Sequence, residues 1–229
     1  MKDSDHDLQG RDPALYYRLR RHHYRDDGLA ARYDDSRFGG ARARRNAAKW
    51  RAISRAMDRA GDIRTVLDLP TGTGRFLPQL IARGVSVVGA DISREMMFVG
   101  REKAAALPAA SIRFAQCDAE ALPFSDRSFD CVLTIRFLFH LTAEARVRAL
   151  TEFARVSGRW VIADYRHRYS LRYVRQTTGH RLRLRGPAEP RVSRSQMEAE
   201  LAAAGLRVDK IFSIAPVFSD KWVVLCERT

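Results

Sequence analysis

From residue 63 onward the chain alternates short apolar runs with stretches of helix length, and no other feature constrains its fold as much. Thr65-Val66-Leu67-Asp68-Leu69 reads as a buried strand, followed by a Gly-rich turn and a helix over about 75–83. Val85-Ser86-Val87-Val88-Gly89-Ala90 is a second strand, with a helix over about 94–106. Ile112-Arg113-Phe114-Ala115 is a third, and Phe129-Asp130-Cys131-Val132-Leu133-Thr134-Ile135 a fourth. A helix over about 143–155 leads to a fifth, Trp160-Val161-Ile162-Ala163-Asp164. A helix over 193–204 and two closing strands, 206–214 and 221–227, complete the series. Strands alternating with helices require right-handed crossovers and a mostly parallel sheet covered on both faces, an α/β fold. Ligands of such sheets bind beyond the carboxyl ends of the strands, so the residues after each strand are the ones to read. Ahead of the alternation, residues 13–60 carry helical periodicity (Leu15, Tyr16 and Leu19, then Ala47, Trp50, Ile53, Ala56 and Met57), interrupted at Gly39-Gly40.

A chain of 229 residues suits one domain of ordinary size. It has no apolar run of the roughly 20 residues needed to span a bilayer, and Met1-Lys2-Asp3-Ser4-Asp5-His6-Asp7 is too acidic for a secretory signal. Cys117, Cys131 and Cys226 share no metal-type spacing and cannot all pair, which leads us to expect reduced thiols and a cytoplasmic protein. The net charge of +14 is uneven. Residues 1–60 hold 15 basic and 9 acidic side chains, and residues 165–195 hold nine arginines against the single acid Glu189. The stretch between them and the stretch after are close to neutral. Such basic segments attract nucleic acid, acidic lipid headgroups or an acidic carrier. With 36 of 41 basic residues being Arg, compositional bias and a solvated face remain the alternative.

The first strand runs into Asp68-Leu69-Pro70-Thr71-Gly72-Thr73-Gly74-Arg75 at a helix entrance. Glycines there let a ligand approach the backbone, and helix amides offer donors. The second strand ends in Asp91, 19 residues beyond Gly72, where such folds place an acid that accepts from ribose hydroxyls; its plainer reading is a helix cap before Ser93. Cys117-Asp118-Ala119-Glu120-Ala121-Leu122-Pro123-Phe124 follows the third strand. Arg136 and His140 follow the fourth, and Asp164, Tyr165, Arg166 and His167 the fifth.

At these residues the sequence resembles the class I S-adenosylmethionine-dependent methyltransferases. Val66 to Gly74 is similar to their first motif, Gly89-Ala90-Asp91-Ile92-Ser93-Arg94-Glu95-Met96-Met97 to the second, and Asp118 to Phe124 with Ser128-Phe129-Asp130 to the third. The branch it resembles is the small-molecule one that includes the ubiquinone/menaquinone and malonyl-carrier-protein enzymes. Dinucleotide-binding dehydrogenases would want a third glycine where Leu77 stands. The resemblance implies a Rossmann-like, doubly wound, seven-stranded, mostly parallel sheet with an antiparallel last strand and an N-terminal helical lid. It implies one domain over 1–229, divided into a lid (1–60), a cofactor-binding core (61–164), an Arg-rich substrate-side insertion (165–195) and a closing helix and strands (196–229). The implied cofactor is S-adenosyl-L-methionine, leaving as S-adenosyl-L-homocysteine. Asp68 and the backbone of Thr71 to Gly74 would hold its amino-acid end, Asp91 its ribose, and Ile92, Asp118 and Ala119 its adenine. Ile135 would line the floor, with Arg75 and Met96 beside the same site. Pro70 departs from the family's usual first glycine, so any contact there must come from a neighbouring group. Ala30-Ala31-Arg32-Tyr33-Asp34 resembles the element that lays an aromatic over the cofactor, Tyr33 otherwise being an anchor to the core.

Displacement at a sulfonium needs alignment and exclusion of water, and an oxygen nucleophile also needs a base. His140, Arg136 and His167 are the candidates: His140 as base or as a buried helix-capping residue, Arg136 opposite an anionic substrate group, His167 as base or solvated surface. His22-His23 has no partner at ligand spacing, so no metal is expected. The expected reaction is methylation, on oxygen, of a small anionic acceptor that is free, lipid-linked or carrier-linked, with peripheral membrane contact allowed. The alternative is RNA methylation with the Arg-rich segments on the phosphate backbone, although no Asn-Pro-Pro-Tyr-type motif is present. A non-catalytic protein that keeps the cofactor fold is the third reading.

Overall fold

The computed structural model describes residues 41–107, 111–182, 191–215 and 219–229. Its elements in chain order are α1 (Ala41–Ala60), β1 (Thr65–Asp68), α2 (Leu77–Ala82), β2 (Ser86–Asp91), α3 (Arg94–Ala104), β3 (Ile112–Gln116) and β4 (Phe129–Thr134). A short 3-10 turn, Leu138–His140, leads to α4 (Ala143–Val156), β5 (Ser157–Arg166), α5 (Leu171–Arg181), α6 (Arg194–Ala203), β6 (Leu206–Ser213) and β7 (Lys221–Arg228). The seven strands form one sheet in the order β3-β2-β1-β4-β5-β7-β6. β3 through β5 are parallel, and β7 runs antiparallel to both β5 and β6. The expected architecture is therefore the observed one, and the order reverses beside β1, where such sheets bind ligands.

Period-two alternation divides the core between the faces. Leu67, Val132, Val161 and Val224 face α4 and α6, where Phe153, Leu150, Met197 and Leu201 are buried. Val66, Cys131, Ile162 and Leu225 face the other way, against Ile53, Ala56, Met57, Leu77 and Leu80. Residues 41–60 thus form a helical layer on the sheet, packed against β5, β6 and β7; the earlier part of the expected lid, Tyr33 included, lies outside the described residues. Asp130 clamps β4 to β1 by accepting from the amides of Arg64 (2.9 Å) and Thr65 (2.8 Å) and from the Thr65 hydroxyl (3.0 Å). Side-chain caps start the later helices: Ser93 accepts from Met96 N (3.1 Å), Thr142 from Ala145 N (3.2 Å), and Ser193 forms a capping box with Gln196. Ser93, and not Asp91, is the cap of α3. In the Arg-rich segment, α5 is a helix that apolar patterning had not revealed.

Candidate active site

The loop between β1 and α2 is built to bring backbone close to a ligand. Thr71 N donates to the Ala90 carbonyl (2.8 Å), and Gly72 N donates to the Asp91 carboxylate (2.8 Å), so the end of β2 holds the loop. Gly72 and Gly74 have φ of 56° and 72°, the left-handed region that favours glycine. A Cβ on Gly74 would stand 2.8 Å from Leu77 Cδ1, and one on Gly100 would stand 3.2 Å from the Gly72 carbonyl oxygen. Helices α2 and α3 therefore close on the loop with no room for larger residues. Pro70, which has no N–H, follows a cis bond from Leu69; the backbone bonds around it come from Leu69 N to the Leu133 carbonyl (2.9 Å) and from Thr71 N.

Asp68 and Asp91 end adjacent strands, and both are buried. Burial pushes the Asp68 carboxyl up to about 7 despite the hydrogen bond from Thr71 Oγ1 (2.9 Å), and the charge of Asp91 adds to the rise. Burial likewise pushes Asp91 up to about 6 against the amides of Ser93 and Gly72 that donate to it. Neither acid forms an ion pair among the described residues. Cys117 N donates to the Asp91 carbonyl (3.1 Å), which sets Asp118 and Ala119 beside the same strand end. Asp118 Oδ1 accepts from Glu120 N (3.1 Å), and Ile92, half-buried, has its carbonyl held by Gln116 Nε2 (3.1 Å). Met96 is buried beneath the loop, its Cε 3.6 Å from where a Cβ on Gly72 would stand. Ile135 is buried at the end of β4. Ten of the expected cofactor residues (Asp68, Thr71, Gly72, Gly74, Asp91, Ile92, Met96, Asp118, Ala119 and Ile135) thus meet at the carboxyl ends of β1, β2, β3 and β4. Two buried acids lacking a cationic partner suit ribose hydroxyls and an ammonium group, and the apolar surface beside them suits a purine. These residues fit S-adenosylmethionine.

Beside these residues lies a cavity of about 420 Å³ between α1, the strand ends and the β6–β7 connection. Arg44, Lys49, Arg75, Arg136, Asp220 and Lys221 are among its lining residues, an excess of positive charge. Arg75, expected at the cofactor, faces this cavity, its guanidinium 5.1 Å from the Phe76 ring centre. At the cavity's base Lys49 Nζ donates to Asp164 Oδ2, both side chains buried, and Asp164 Oδ1 accepts from Arg136 N (2.6 Å). Burial alone would raise Asp164, but Lys49, the Arg136 amide and Lys221 together hold it below its ordinary value. Arg136 itself has φ of 65°, so the bond to Asp164 holds a residue with a side chain in a glycine-like conformation. Burial, and then repulsion from Lys49, push Lys221 down to about 7. Lys49 and Lys221 escaped the sequence reading. The signal for Lys49 was its position: it stands four and seven residues before Ile53 and Ala56, in the apolar stripe of α1.

The two histidines do not join Arg136. His140 lines a second cavity of about 440 Å³ on the α4–α6 side, with Arg146, Tyr165, Arg166, Arg191 and Glu200 among its walls. The backbone dictates this separation: Leu138–His140 winds into a 3-10 turn, and Asp164 and Tyr165 point to opposite faces of β5. His167 is not solvated surface: it is 3% exposed and stacked at 4.1 Å on Trp222. Its Nδ1 accepts from Tyr169 N (3.1 Å), and burial lowers its pKa, so it packs as a neutral ring.

Comparison with known proteins agrees with this geometry. Residues 66–158 match the model of the methyltransferase domain family. The chain is 40% identical to the demethylmenaquinone methyltransferase of Thermus thermophilus over 124 residues, 51% of this chain and 54% of that one. It is 36% identical to the ubiquinone/menaquinone biosynthesis C-methyltransferase UbiE of Geotalea uraniireducens, covering 51% and 52%. The chain spans about half the length of the curated relatives it matches. Among solved structures, magnesium protoporphyrin IX methyltransferase (ChlM) from Synechocystis PCC 6803 with bound SAH aligns with a TM-score of 0.74 at 16% identity, covering 92% of this chain and 99% of that one; this likeness concerns the fold.

Proposed function

We propose that this chain, whose residues 66–158 form a methyltransferase domain of the class I S-adenosylmethionine-dependent kind, methylates a small hydroxylated acceptor bound in the cation-lined cavity beside the cofactor pocket. The observation that carries this reading is the adjacency of two differently charged sites on one rim. Buried acids Asp68 and Asp91 stand over the loop, and Arg136 and Lys221 stand across the end of β4. When bound, S-adenosylmethionine supplies an electrophilic methyl group on a sulfonium. The residues of the chain do the rest. Asp68 and Asp91 hold the donor's polar groups, and the tight loop excludes water from it. Lys221, neutral about half the time near pH 7, takes a proton from an acceptor hydroxyl, and Arg136 stabilises the anion that remains. An aromatic oxyanion is nucleophilic at oxygen and at the ring carbons beside it. The naming of relatives as quinone and C-methyltransferases favours carbon as the accepting atom over the oxygen expected from the sequence. Asp164 acts through others, as the residue that positions both Lys49 and Arg136.

The test is transfer of labelled methyl from S-adenosylmethionine into a cell extract separated into RNA, protein, lipid and small-molecule fractions. Label should enter the lipid or small-molecule fraction, and Arg136→Ala should abolish it while sparing cofactor affinity. Analysis of the product by nuclear magnetic resonance then distinguishes carbon from oxygen. Label in RNA that ribonuclease removes would overturn the reading.

A further inference from the structure

Five large apolar side chains are more than half exposed among the described residues, and four of them fall within 14 positions: Tyr169, Leu171, Val174 and Leu182, at 54–63%. The fifth, Phe98, is elsewhere. Scattered exposed apolar residues need no explanation, but a cluster does. Here the helix accounts for the clustering, since Leu171, Val174, Thr178 and Leu182 follow one another at helical spacing and make a stripe along α5. Among the described residues the helix does not pack extensively on any other element, and none of these side chains joins the core there. It is started by Ser170, whose hydroxyl accepts from Tyr173 N (3.2 Å), and Tyr169 is anchored ahead of it by its hydroxyl, which accepts from Arg194 N (3.2 Å).

The charge on the helix itself is of one sign. Helix α5 contains no acidic residue, whereas Arg191 and Arg194 nearby are paired with Asp220 and Glu198. Arg175, exposed, lies next to the stripe and forms no ion pair among the described residues; Arg168, also exposed, donates to the neutral Gln196 (2.7 Å). Apolar side chains flanked by cations match a lipid–water interface, where the former enter the acyl boundary and the latter meet anionic headgroups. A nucleic-acid backbone would use the arginines and leave Leu171, Val174 and Leu182 in water. We propose that α5 with Tyr169 is a docking surface for an anionic lipid membrane. The surface stands apart from the methyl-transfer reading; only its consequence, that an acceptor held in lipid would be presented at the rim beside β5, rests on it.

The experiment is co-sedimentation of the full chain with vesicles of phosphatidylcholine, alone or mixed with phosphatidylglycerol. Binding to the mixed vesicles should exceed binding to phosphatidylcholine by about tenfold or more, and should fall by a similar factor in high salt. Leu171→Glu with Val174→Glu should weaken it about tenfold, with cofactor affinity by calorimetry unchanged because neither residue is near the acids. Arg175→Gln alone should weaken it less. Absence of binding to mixed vesicles, or equal binding by the double variant, overturns the proposal. So does a dimer in ultracentrifugation that the double variant dissolves, which would assign the stripe to a second copy. Binding of single-stranded RNA that ignores the double variant, without vesicle binding, would assign the arginines to nucleic acid. Since cofactor affinity is read separately, a failed membrane surface and a failed methyltransferase reading give different results.

Discussion

Cofactor affinity should fall steeply as pH drops through neutrality, because the acid proposed to face the positive end of the ligand is itself half protonated there. Burial places Asp68 at about 7 and Asp91 at about 6 in the free protein. A ligand that carries a sulfonium and an ammonium selects the ionised carboxylate. Between pH 8 and pH 6 the ionised fraction of Asp68 falls from about nine-tenths to about one-tenth, a loss of about tenfold in affinity or about 1.4 kcal/mol. Protonation of half of Asp91 at pH 6 adds about a factor of two. Calorimetric titration with S-adenosylmethionine across this range should therefore show a loss of about 20-fold, with proton release near neutral pH. Asp68→Asn should bind more weakly at pH 8 and keep only the factor due to Asp91. The same shift acts on folding with the opposite sign. A carboxyl whose folded pKa lies above its unfolded value costs stability as pH rises from about 4 to about 7, so Asp68→Asn should raise the melting temperature at pH 8 and leave it unchanged near pH 4. A flat affinity from pH 8 to pH 6 in the native chain would refute the placement of Asp68 at the cationic end of the ligand.

Asp91→Ala should weaken cofactor binding about tenfold or more, as calorimetry would read, with melting showing that the chain stays folded. Arg136→Gly should relieve the left-handed backbone by about 1 kcal/mol, raising the melting temperature while turnover collapses; a lower melting temperature would show that Arg136 serves the fold. Lys49→Met should cost about 3–5 kcal/mol in denaturant unfolding by stranding Asp164, and Lys49→Met with Asp164→Asn should recover most of it. Turnover should rise with pH through about 7 as Lys221 loses its proton, and Lys221→Arg, always charged, should abolish that limb of the kcat profile.

The inner strands of the parallel half of the sheet were legible because they are largely buried on both faces. Val66-Leu67 and Cys131-Val132-Leu133 are short buried apolar runs, the first ending in Asp68 and the second leading through Thr134 and Ile135 to Arg136. Asp68 and Asp91 were found for the same reason: an acid ending such a run must sit at the rim. The cation-lined cavity was only partly legible. Arg136 was visible as a charge directly after a strand, yet its companion Lys49 lies 115 residues from the Asp164 it pairs with, and no local pattern links them. The separation of His140 from Arg136 depends on one 3-10 turn. The burial of His167 was not legible because it comes from Trp222 on β7, a strand more than fifty residues later that the local sequence does not reveal. Helix α5 was missed because its apolar positions face outward, and a stripe of Leu171, Val174 and Leu182 among arginines has no core to report on.

Helix α1 precedes every described strand, yet the strands it lies on are β5, β6 and β7, the last of them to be synthesised, and β7 must slot between β5 and β6 after both exist. On a ribosome this order has a cost. The apolar face of α1, and Lys49 with it, waits for most of the chain to emerge before its partners arrive, whereas the loop around Gly72 and Gly74 needs only β1 to β4. A nascent chain would therefore build the loop proposed to hold the donor well before the cavity proposed to take the acceptor. Premature termination before Lys221 would leave a fragment that retains the donor loop but lacks β7, so that β6 has no neighbour in the sheet.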